Sequence, residues 1–473
     1  MVFSDPVFFF AFLPISLILI LLAMPRAHNL VILILSIAFY YWTSGWLTLL
    51  LAGSIVGNWL VGWLIHKSRH DKAKQRIMLV GIVANLLALA YFKYSYFIAG
   101  NIDFVFGLGA SDVFSGVILP IGISFFTFQG ISYLVDLRRG EFDADPNLIR
   151  FGAYLSFFPQ LIAGPIVRYR DVNEDFHKPQ VTLDNFAGGA SRFVHGLLKK
   201  VLIADTAGQL ADACFGAPGE ISLAAAWIGA IAYTIQIYFD FSGYSDMAIG
   251  IGRMCGIRFL ENFRHPYASS TITEFWRRWH ISLSSWFRDY LYIPLGGNRG
   301  GQFGTYRNLA IVFLVTGMWH GAAWTYIVWG LYHGAFLVLE RLILGPKASQ
   351  QTAIWLRFVY LLPVVVVGWV IFRAPTMPEA IDYLGAMVNV FQSAPLALSA
   401  EITAVLTPFN LIALAIGGLV FLLPREPIGG VLAMQTGTFR VELGRLAYTA
   451  FAGVIAAILV LTSNFSPFLY FQF

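Results

Sequence analysis

Apolar segments of roughly 17 to 25 residues recur along the chain, and short polar or charged segments separate them. This is the length that an α-helix needs to cross the hydrocarbon core of a bilayer. The pattern predicts an all-α polytopic membrane protein with about twelve transmembrane helices, both termini lying on the same side. Predicted spans include residues 7–23, 30–43, 47–65, 223–250, 354–372, 411–423 and 446–461, with a tight hairpin at Ser44-Gly45-Trp46.

Residues 151–167 break this regular pattern. Cations flank the segment on both sides (Arg150, Arg168, Arg170), and Pro159 and Gly164-Pro165 interrupt it. We interpret it as a re-entrant segment, which a membrane protein tolerates only where protein or water surrounds the backbone. The next crossing then lies within residues 186–213, with Lys199 and Lys200 extending toward the inner interface.

Residues 251–307 form the most basic part of the chain and are predicted to be an amphipathic or re-entrant element on the cytoplasmic side. Thr271-Ile-Thr-Glu274 is a capping-box sequence that should start a helix, and Pro294 should end it. Aromatic and aliphatic side chains from Ile272 to Tyr290 share one stripe. Arg277, His280, Ser284 and Arg288 are predicted to share the opposite shoulder.

Loop charges orient the chain. Residues 66–76 carry five Lys or Arg residues and are therefore cytoplasmic, whereas the predicted loop 101–112 carries only Asp103 and Asp112 and is external. Continuing this alternation places both termini on the external side.

Composition supports a membrane protein: 58% of the 473 residues are hydrophobic, 12% are charged and the mean hydropathy is +0.69. Two cysteines are too few for a disulfide framework. No His, Cys or carboxylate spacing predicts a metal site. We predict no metal, no bound cofactor and no nucleic-acid partner, with membrane lipids as the surroundings.

His320 is the first candidate for chemistry. It lies in residues 309–339, which contain no Asp, Glu, Lys or Arg, and two short spans within 308–344 are predicted to meet near His320-Gly321. Twelve residues beyond Asn308, it would lie roughly 18 Å into the membrane. An ionisable group at that depth is by default functional. The alternative is a packing histidine bonded to a neighbouring carbonyl.

Further candidates carry structural alternatives. Asp240 and Asp246 could bind substrate or pair with arginines near the inner leaflet. Arg277 and Arg288 could attract the phosphates of a donor, with Trp279 and Trp319 beside them, or anchor lipid headgroups. Residues 296–301 (GGNRGG) are weak evidence for a phosphate loop, because no helix start is predicted beside them.

Two kinds of chemistry fit these residues. A cationic inner face suits an anionic soluble donor, and a buried histidine can take a proton from a hydroxyl that attacks a thioester, or accept the acyl group itself. A proton-coupled transporter would also use a buried His and Asp along a pore. The residues alone leave both hypotheses open.

Six ordered motifs then carry a resemblance. They are LPIGISFF at 119–126, FFPQLIAGP at 157–165, YFDFSGYSD at 238–246, EFWRRWHISL at 274–283, RDYLYIPLGG at 288–297 and GMWHG at 317–321. With the aromatic ending at 466–473, they resemble the membrane-bound O-acyltransferase family, and within it the bacterial alginate O-acetylation branch. The resemblance covers essentially the whole chain.

The resemblance implies that residues 1–473 form one membrane-embedded domain, a helical bundle around a central funnel. It implies that His320 is catalytic, as general base or transient acyl carrier, and that His280, the second signature histidine, is catalytic by orienting the donor or acceptor. It further implies a bacterial inner-membrane protein that takes acetyl groups from a cytosolic donor, acetyl-CoA, for a periplasmic polysaccharide acetyltransferase. A sister branch, which transfers D-alanine to teichoic acid, remains the alternative within the family.

Overall fold

The structure is a computed structural model that describes residue 3 and residues 5–216, 221–345, 353–423, 439–462 and 467–469. These residues contain helices and connecting segments but no β-strand, which confirms the all-α prediction. They fold as two compact units. Unit 1 consists of Met1–Phe193 and Met247–Leu260, and unit 2 of Val194–Asp246 and Glu261–Phe473. The single-domain assignment stays a prediction.

Unit 1 contains the first ten α-helices. They are α1 (Leu13–Leu22), α2 (His28–Ser44), α3 (Thr48–Lys67), α4 (Asp71–Leu89), α5 (Ser95–Phe106), α6 (Ala110–Phe114), α7 (Ile123–Arg139), α8 (Leu148–Ser156), α9 (Phe158–Leu161) and α10 (Tyr169–His177). Helix α11 (Leu183–Leu198) begins in unit 1 and ends in unit 2.

The predicted hairpin between α2 and α3 is confirmed. A short 3-10 turn at Gly45–Leu47 separates the two helices, and Gly45 adopts φ +57°, a conformation that favours glycine. The predicted external loop 101–112 is wrong at its start, because α5 continues to Phe106. The Asp103 carboxylate accepts the N–H groups of Ala110 and Ser111 at 2.6 and 2.7 Å, so it fastens the beginning of α6 rather than facing an open loop.

Residues 151–167 are broken, as predicted, into part of α8, the single turn α9 and a stretch of turns and irregular backbone, and all of them are buried. The irregular backbone finds partners within unit 1. Ser36 Oγ accepts the Phe158 N–H at 3.1 Å, and Tyr154 donates its hydroxyl to the Val167 carbonyl at 3.1 Å. This protein-lined environment is the condition under which a re-entrant segment is stable.

Unit 2 contains most of the remaining helices. They are α12 (Asp205–Phe215), α13 (Leu223–Met254), whose last turns belong to unit 1, α14 (Ile272–Arg278), α15 (Ile281–Phe287), α16 (Gly301–His320), α17 (Trp324–Leu344), α18 (Ile354–Leu356), α19 (Leu362–Arg373), α20 (Met377–Ala386), α21 (Ala400–Val405), α22 (Pro408–Leu422) and α23 (Phe439–Thr462).

Six helical stretches of the described chain are long and apolar enough to cross a membrane. They are His28–Lys67, Asp71–Phe106, Leu223–Met254, Trp324–Leu344, Ile354–Arg373 and Arg440–Thr462. Two shorter apolar helices, Phe8–Leu22 and Pro408–Leu422, coincide with further predicted spans. The membrane class is therefore confirmed, and the number of twelve spans stays a prediction.

The amphipathic helix predicted from Thr271 to Pro294 begins as expected. Thr271 Oγ1 accepts the Glu274 N–H at 3.1 Å, while Glu274 Oε2 accepts the N–H of Ser270 at 3.0 Å. The prediction of one continuous helix is wrong, because α14 ends at Arg278 and α15 starts at Ile281. His280 between them has φ +45° and is buried, so it does not share the exposed shoulder of Arg277 and Arg288.

Candidate active site

His320 is held by the close packing of α16 against α17. A Cβ atom added to Gly317 would lie 2.3 Å from the Tyr326 carbonyl oxygen, and one added to Gly330 would lie 2.3 Å from that of Phe313. The two backbones therefore touch directly. His320 is the last residue of α16, and α17 starts at Trp324, which confirms the predicted junction near His320-Gly321. Helix α16 begins at Gly301 rather than at Asn308.

A small cavity of about 20 Å³ lies beside His320. Asp240 supplies a carboxylate to its lining, and the remaining lining residues other than His320 are aliphatic or aromatic: Ile237, Phe241, Trp279, Trp329, Trp369, Phe372 and Leu469. A volume of this size holds about one water molecule. His320 itself is 7% exposed, so the site is nearly closed to solvent.

Two aromatic rings fix the plane of the His320 imidazole. Trp329 meets it edge to face, with ring centroids 5.0 Å apart, and Phe372 does the same at 5.3 Å. These are preferred geometries for aromatic pairs. The walls restrict the imidazole to few orientations and exclude bulk water.

Asp240 is a member of a buried charge cluster. Its Oδ1 lies 2.7 Å from the Lys200 ammonium, which also lies 2.7 Å from Asp205, and its Oδ2 accepts the Leu469 N–H at 2.9 Å. The structural alternative for Asp240, an ion pair with arginine, is therefore wrong in its cation, which is lysine. Lys200 is 1% exposed and does not extend toward an interface, because the two carboxylates offset the cost of burying its charge.

Asp246, the second predicted aspartate, does not line the cavity. It pairs with the Lys199 ammonium at 2.8 Å, again a lysine and not an arginine. The two predicted tryptophans, Trp279 and Trp319, also lie at different places relative to the cavity. Trp279 lines the cavity, whereas Trp319 is buried between the two predicted catalytic histidines, with ring centroids 5.0 Å from His320 and 6.1 Å from His280.

His280 lies one layer behind the cavity wall. Its ring meets Phe241, a lining residue, edge to face at 4.7 Å, and its Nδ1 lies 3.2 Å from Asn262 Oδ1. Asn262 Oδ1 also accepts the N–H and the hydroxyl of Ser282 at 3.1 and 2.9 Å. Burial lowers the pKa of His280, which lies outside the candidate spans, to about 3. His280 is therefore neutral at neutral pH.

Arg277 and Arg288 are not brought to the cavity. Both are exposed, and Arg288 donates two hydrogen bonds to the Asp289 carboxylate at 2.6 and 3.1 Å. The loop at residues 296–301 is followed directly by α16, contrary to the expectation that no helix starts there. Gly301 and His320 are the two ends of that helix, about 28 Å apart at 1.5 Å per residue. The loop is thus remote from the cavity.

The structure adds residues that the sequence analysis did not single out. His333 is fully buried, with ring centroids 5.3 Å from both Trp276 and Trp329, and in the described part of the chain neither of its ring nitrogens has a hydrogen-bond partner. It lies in the same uncharged stretch as His320, so the sequence predicts His333 as a candidate on the same grounds. Nothing in the local sequence distinguishes Asn262, Trp369 or Phe372.

No group of three or more His, Cys, Asp and Glu side chains with metal-site geometry occurs within the ranges that the structure describes. The His320 imidazole and the Asp240 carboxylate both line one nearly closed, aromatic-walled cavity of a helical membrane protein. A helical membrane protein with an imidazole and a carboxylate at a water-poor cavity has groups there that can accept or donate a proton.

The sequence profile of the membrane-bound O-acyltransferase family matches residues 34–376. The chain is 48% identical over 393 residues to the "Probable alginate O-acetylase AlgI" of Pseudomonas aeruginosa, covering 82% of this chain and 75% of that protein. It is 42% identical over 505 residues to the Azotobacter vinelandii protein of the same name, with both chains fully covered. It is 36% identical over 432 residues to the "Peptidoglycan O-acetyltransferase" of Helicobacter pylori, covering 82% and 80%.

The chain therefore belongs to the membrane-bound O-acyltransferase family, as the six motifs predicted. It is a multi-pass membrane O-acyltransferase.

Proposed function

We propose that this protein takes acetyl groups from acetyl-CoA at the cytoplasmic face of a bacterial inner membrane. It passes them across the membrane to a periplasmic acetyltransferase that modifies an exopolysaccharide such as alginate. Family membership and the two alginate O-acetylase relatives support the acetyl group and the polymer class. The position of His320, at a closed aromatic cavity with Asp240, is the observation that carries the proposal.

In the proposed reaction, a neutral His320 imidazole accepts the proton of an acceptor hydroxyl. The freed oxygen attacks the thioester carbonyl, the C–S bond breaks, and coenzyme A leaves as a thiolate that takes up a proton. In the variant route a ring nitrogen attacks the carbonyl first and holds the acetyl group until the hydroxyl displaces it. Both routes conserve the acyl group and need no redox partner.

The closed cavity supports this chemistry in a specific way. About one water fits beside His320, so an acetyl group can enter only if a wall residue such as Trp329 or Phe372 moves. A substrate that displaces the wall also displaces the water that would hydrolyse the thioester. We assign Arg277 and Arg288 to a first contact with the donor at the cytoplasmic surface, away from the cavity. Their exposed guanidinium groups would attract the phosphates of the donor there.

Polysaccharide acetylation in cells tests the proposal. The His320→Ala protein is compared with wild type and with His195→Gln, which removes another buried histidine, the one whose Nδ1 lies 2.6 Å from the Tyr448 hydroxyl. We expect acetate on the polymer to fall at least tenfold in His320→Ala only, at equal membrane levels.

Full acetylation by a normally inserted His320→Ala protein would refute the assignment. D-alanine on the surface polymer in place of acetate would favour the teichoic-acid branch. Proton-coupled flux that persists without any acyl donor would favour a transporter.

A further inference from the structure

A groove of about 1050 Å³ opens at the ends of α12, α19 and α20. Its floor contains Arg373, which donates a hydrogen bond to Asp212 at 2.5 Å and stacks over the rings of Phe215 and Tyr233 at 4.6 and 4.9 Å. Glu379 and Asp382 also line it, and both are exposed. Three carboxylates therefore face a single guanidinium among the charged lining residues, and the groove is acidic.

Large exposed apolar side chains line this acidic groove or lie next to its lining residues Asn389 and Gln392 in the chain. Phe391 is 95% exposed, Val388 is 74% exposed and Ile381, a lining residue, is 62% exposed. They follow the last residue of the candidate span Ile354–Arg373, so they lie beyond its end. Exposed apolar residues clustered beside a groove are typical of a protein-binding surface.

The groove begins one residue from the candidate active site. Phe372 packs against the His320 imidazole at 5.3 Å, and Arg373, the next residue along α19, forms the groove floor. The ring of Tyr326 also packs against Phe372, with ring centroids 5.0 Å apart. A partner seated in the groove would thus contact the residue next to one that lines the His320 cavity.

We infer that this groove is the docking surface for a water-soluble protein that presents lysine or arginine side chains beside an apolar patch. The inference rests on the proposed function, in which the acetyl group leaves toward the external side. Under the predicted topology, Ile354–Arg373 crosses outward, so the groove faces that side.

Charge decides which occupant fits. Glu379 and Asp382 attract a cationic protein surface, and electrostatic complementarity of this kind speeds association and selects partners. The same carboxylates repel an anionic polysaccharide and an anionic lipid surface. The exposed Phe391 and Val388 supply apolar area of the kind that forms the core of protein interfaces.

The test uses the full-length protein in cells, with the photo-crosslinking residue p-benzoylphenylalanine in place of Phe391. We expect a cross-link to one soluble protein, identified by mass spectrometry. The double substitution Glu379→Lys with Asp382→Lys should remove that cross-link and reduce polymer acetylation at least tenfold, while Glu379→Gln with Asp382→Asn should have a smaller effect. Glu401→Lys reverses an exposed charge in α21 outside the groove and should leave both unchanged.

Complementary charge reversal provides the decisive step. A Lys→Glu or Arg→Glu substitution in the cross-linked protein should restore the cross-link and the acetylation of the doubly reversed variant. Cross-links only to polymer, to lipid or to a second copy of this chain would overturn the inference. So would full acetylation by the doubly reversed variant.

Acetyl-CoA cleavage by the purified proteins separates the two proposals. Cleavage lost in the doubly reversed variant would overturn the inference, because the groove would then serve the chemical step. Wild-type protein that never cleaves acetyl-CoA, even with the cross-linked partner present, would count against the proposed function instead.

Discussion

The imidazole of His320 and the imidazole of His280 occupy different environments although both were predicted to be catalytic. His320 lines a cavity with Asp240, whereas His280 lies behind Phe241 and is tied to Asn262. A group that touches the reacting atoms must reach the cavity. His320 is therefore the candidate for chemistry, and His280 is a candidate for positioning the wall.

The buried, neutral state of His280 makes stability depend on pH. Its pKa is about 3 in the folded protein against 6.5 in the unfolded chain, so between these values the unfolded state binds more protons. Stability is therefore lost as the pH falls below 6.5, by about 1.4 kcal/mol at pH 5.5 from this residue alone. Thermal unfolding in detergent at pH 7.5 and 5.5 measures the difference.

His280→Asn is the matched variant, because asparagine tolerates the positive φ of this position. We expect a smaller loss of stability between pH 7.5 and 5.5 in this variant than in wild type. An equal loss in both proteins would mean that His280 is not the group responsible.

The sequence predicted only some of the residues of the candidate site. The uncharged surroundings identified His320, and the family motifs identified His280, Trp279 and Asp240. The expectation that Lys200 extends toward the interface was wrong, because Lys200 is buried and Asp240, one of its two carboxylate partners, lies forty positions away in the sequence and meets it only through packing. His333 was accessible to the same reasoning as His320.

At the scale of elements, the contact between α16 and α17 places His320. Gly330→Ala would put a methyl group 2.3 Å from the Phe313 carbonyl oxygen, so the helices must separate. We expect a loss of stability of about 1–3 kcal/mol and a fall in donor cleavage. Gly304→Ala in α16, the other helix of the pair, is the control, since nothing lies within 4 Å of its added Cβ, and it should be neutral or stabilising.

An unaltered melting temperature and activity in Gly330→Ala would show that α16 and α17 do not touch in this way. Thermal unfolding of the two glycine variants, measured side by side, tests the predicted loss of stability. Acetyl-CoA cleavage by the same variants tests the predicted loss of activity.

The carboxylate of Glu340 in α17 caps the N-terminus of α14. It accepts the N–H groups of Ile272 and Thr273 at 2.5 and 2.8 Å, the Thr273 hydroxyl at 2.6 Å and the Tyr360 hydroxyl at 3.0 Å. Glu340→Ala leaves these donors buried without an acceptor, which should cost about 2 kcal/mol or more. Glu340→Gln retains one acceptor oxygen and should lose less.

Thermal unfolding ranks these variants against Glu401→Ala, which removes an exposed carboxylate from α21. If Glu340→Ala and Glu401→Ala melted alike, the capping role would be wrong.

Local signals predicted the ends of several elements correctly. Gly45 predicted the hairpin between α2 and α3, Thr271 and Glu274 predicted the start of α14, and Gly321 predicted the end of α16. The break at His280 could not be predicted from helical periodicity, because it depends on Asn262, eighteen residues away, whose carbonyl oxygen accepts the Ile281 N–H at 2.9 Å. Periodicity describes one helix face and carries no information on such a distant partner.

At the scale of the whole molecule, loop charge predicts which side each loop faces. Cys214 and Cys255 are buried and can be replaced first, and single cysteines can then be introduced as Lys72→Cys and Asp112→Cys, both at exposed positions. We expect a membrane-impermeant maleimide added outside intact spheroplasts to label Asp112→Cys and to label Lys72→Cys only after permeabilisation.

The reverse pattern would invert the orientation of the chain and with it the external position of the groove. Labelling at both positions in sealed spheroplasts would contradict an odd number of crossings between them.

The membrane class and the family could be predicted for the whole chain, because long apolar segments and ordered motifs are properties of the sequence itself. The number of spans could not, because Phe8–Leu22 and Pro408–Leu422 are shorter than a full crossing and helices such as α7 are buried by protein on nearly every side. Apolar length identifies a segment that can cross a membrane but not what surrounds it.

We expect His320 to carry the acyl chemistry, and cleavage of radiolabelled acetyl-CoA by the purified protein in nanodiscs tests this role. Wild type and His195→Gln should cleave the thioester, and His320→Ala should lose at least 99% of that activity while keeping its melting temperature. Label retained on wild type would identify the acyl-histidine route. Equal cleavage by wild type and a stably folded His320→Ala protein would contradict the account.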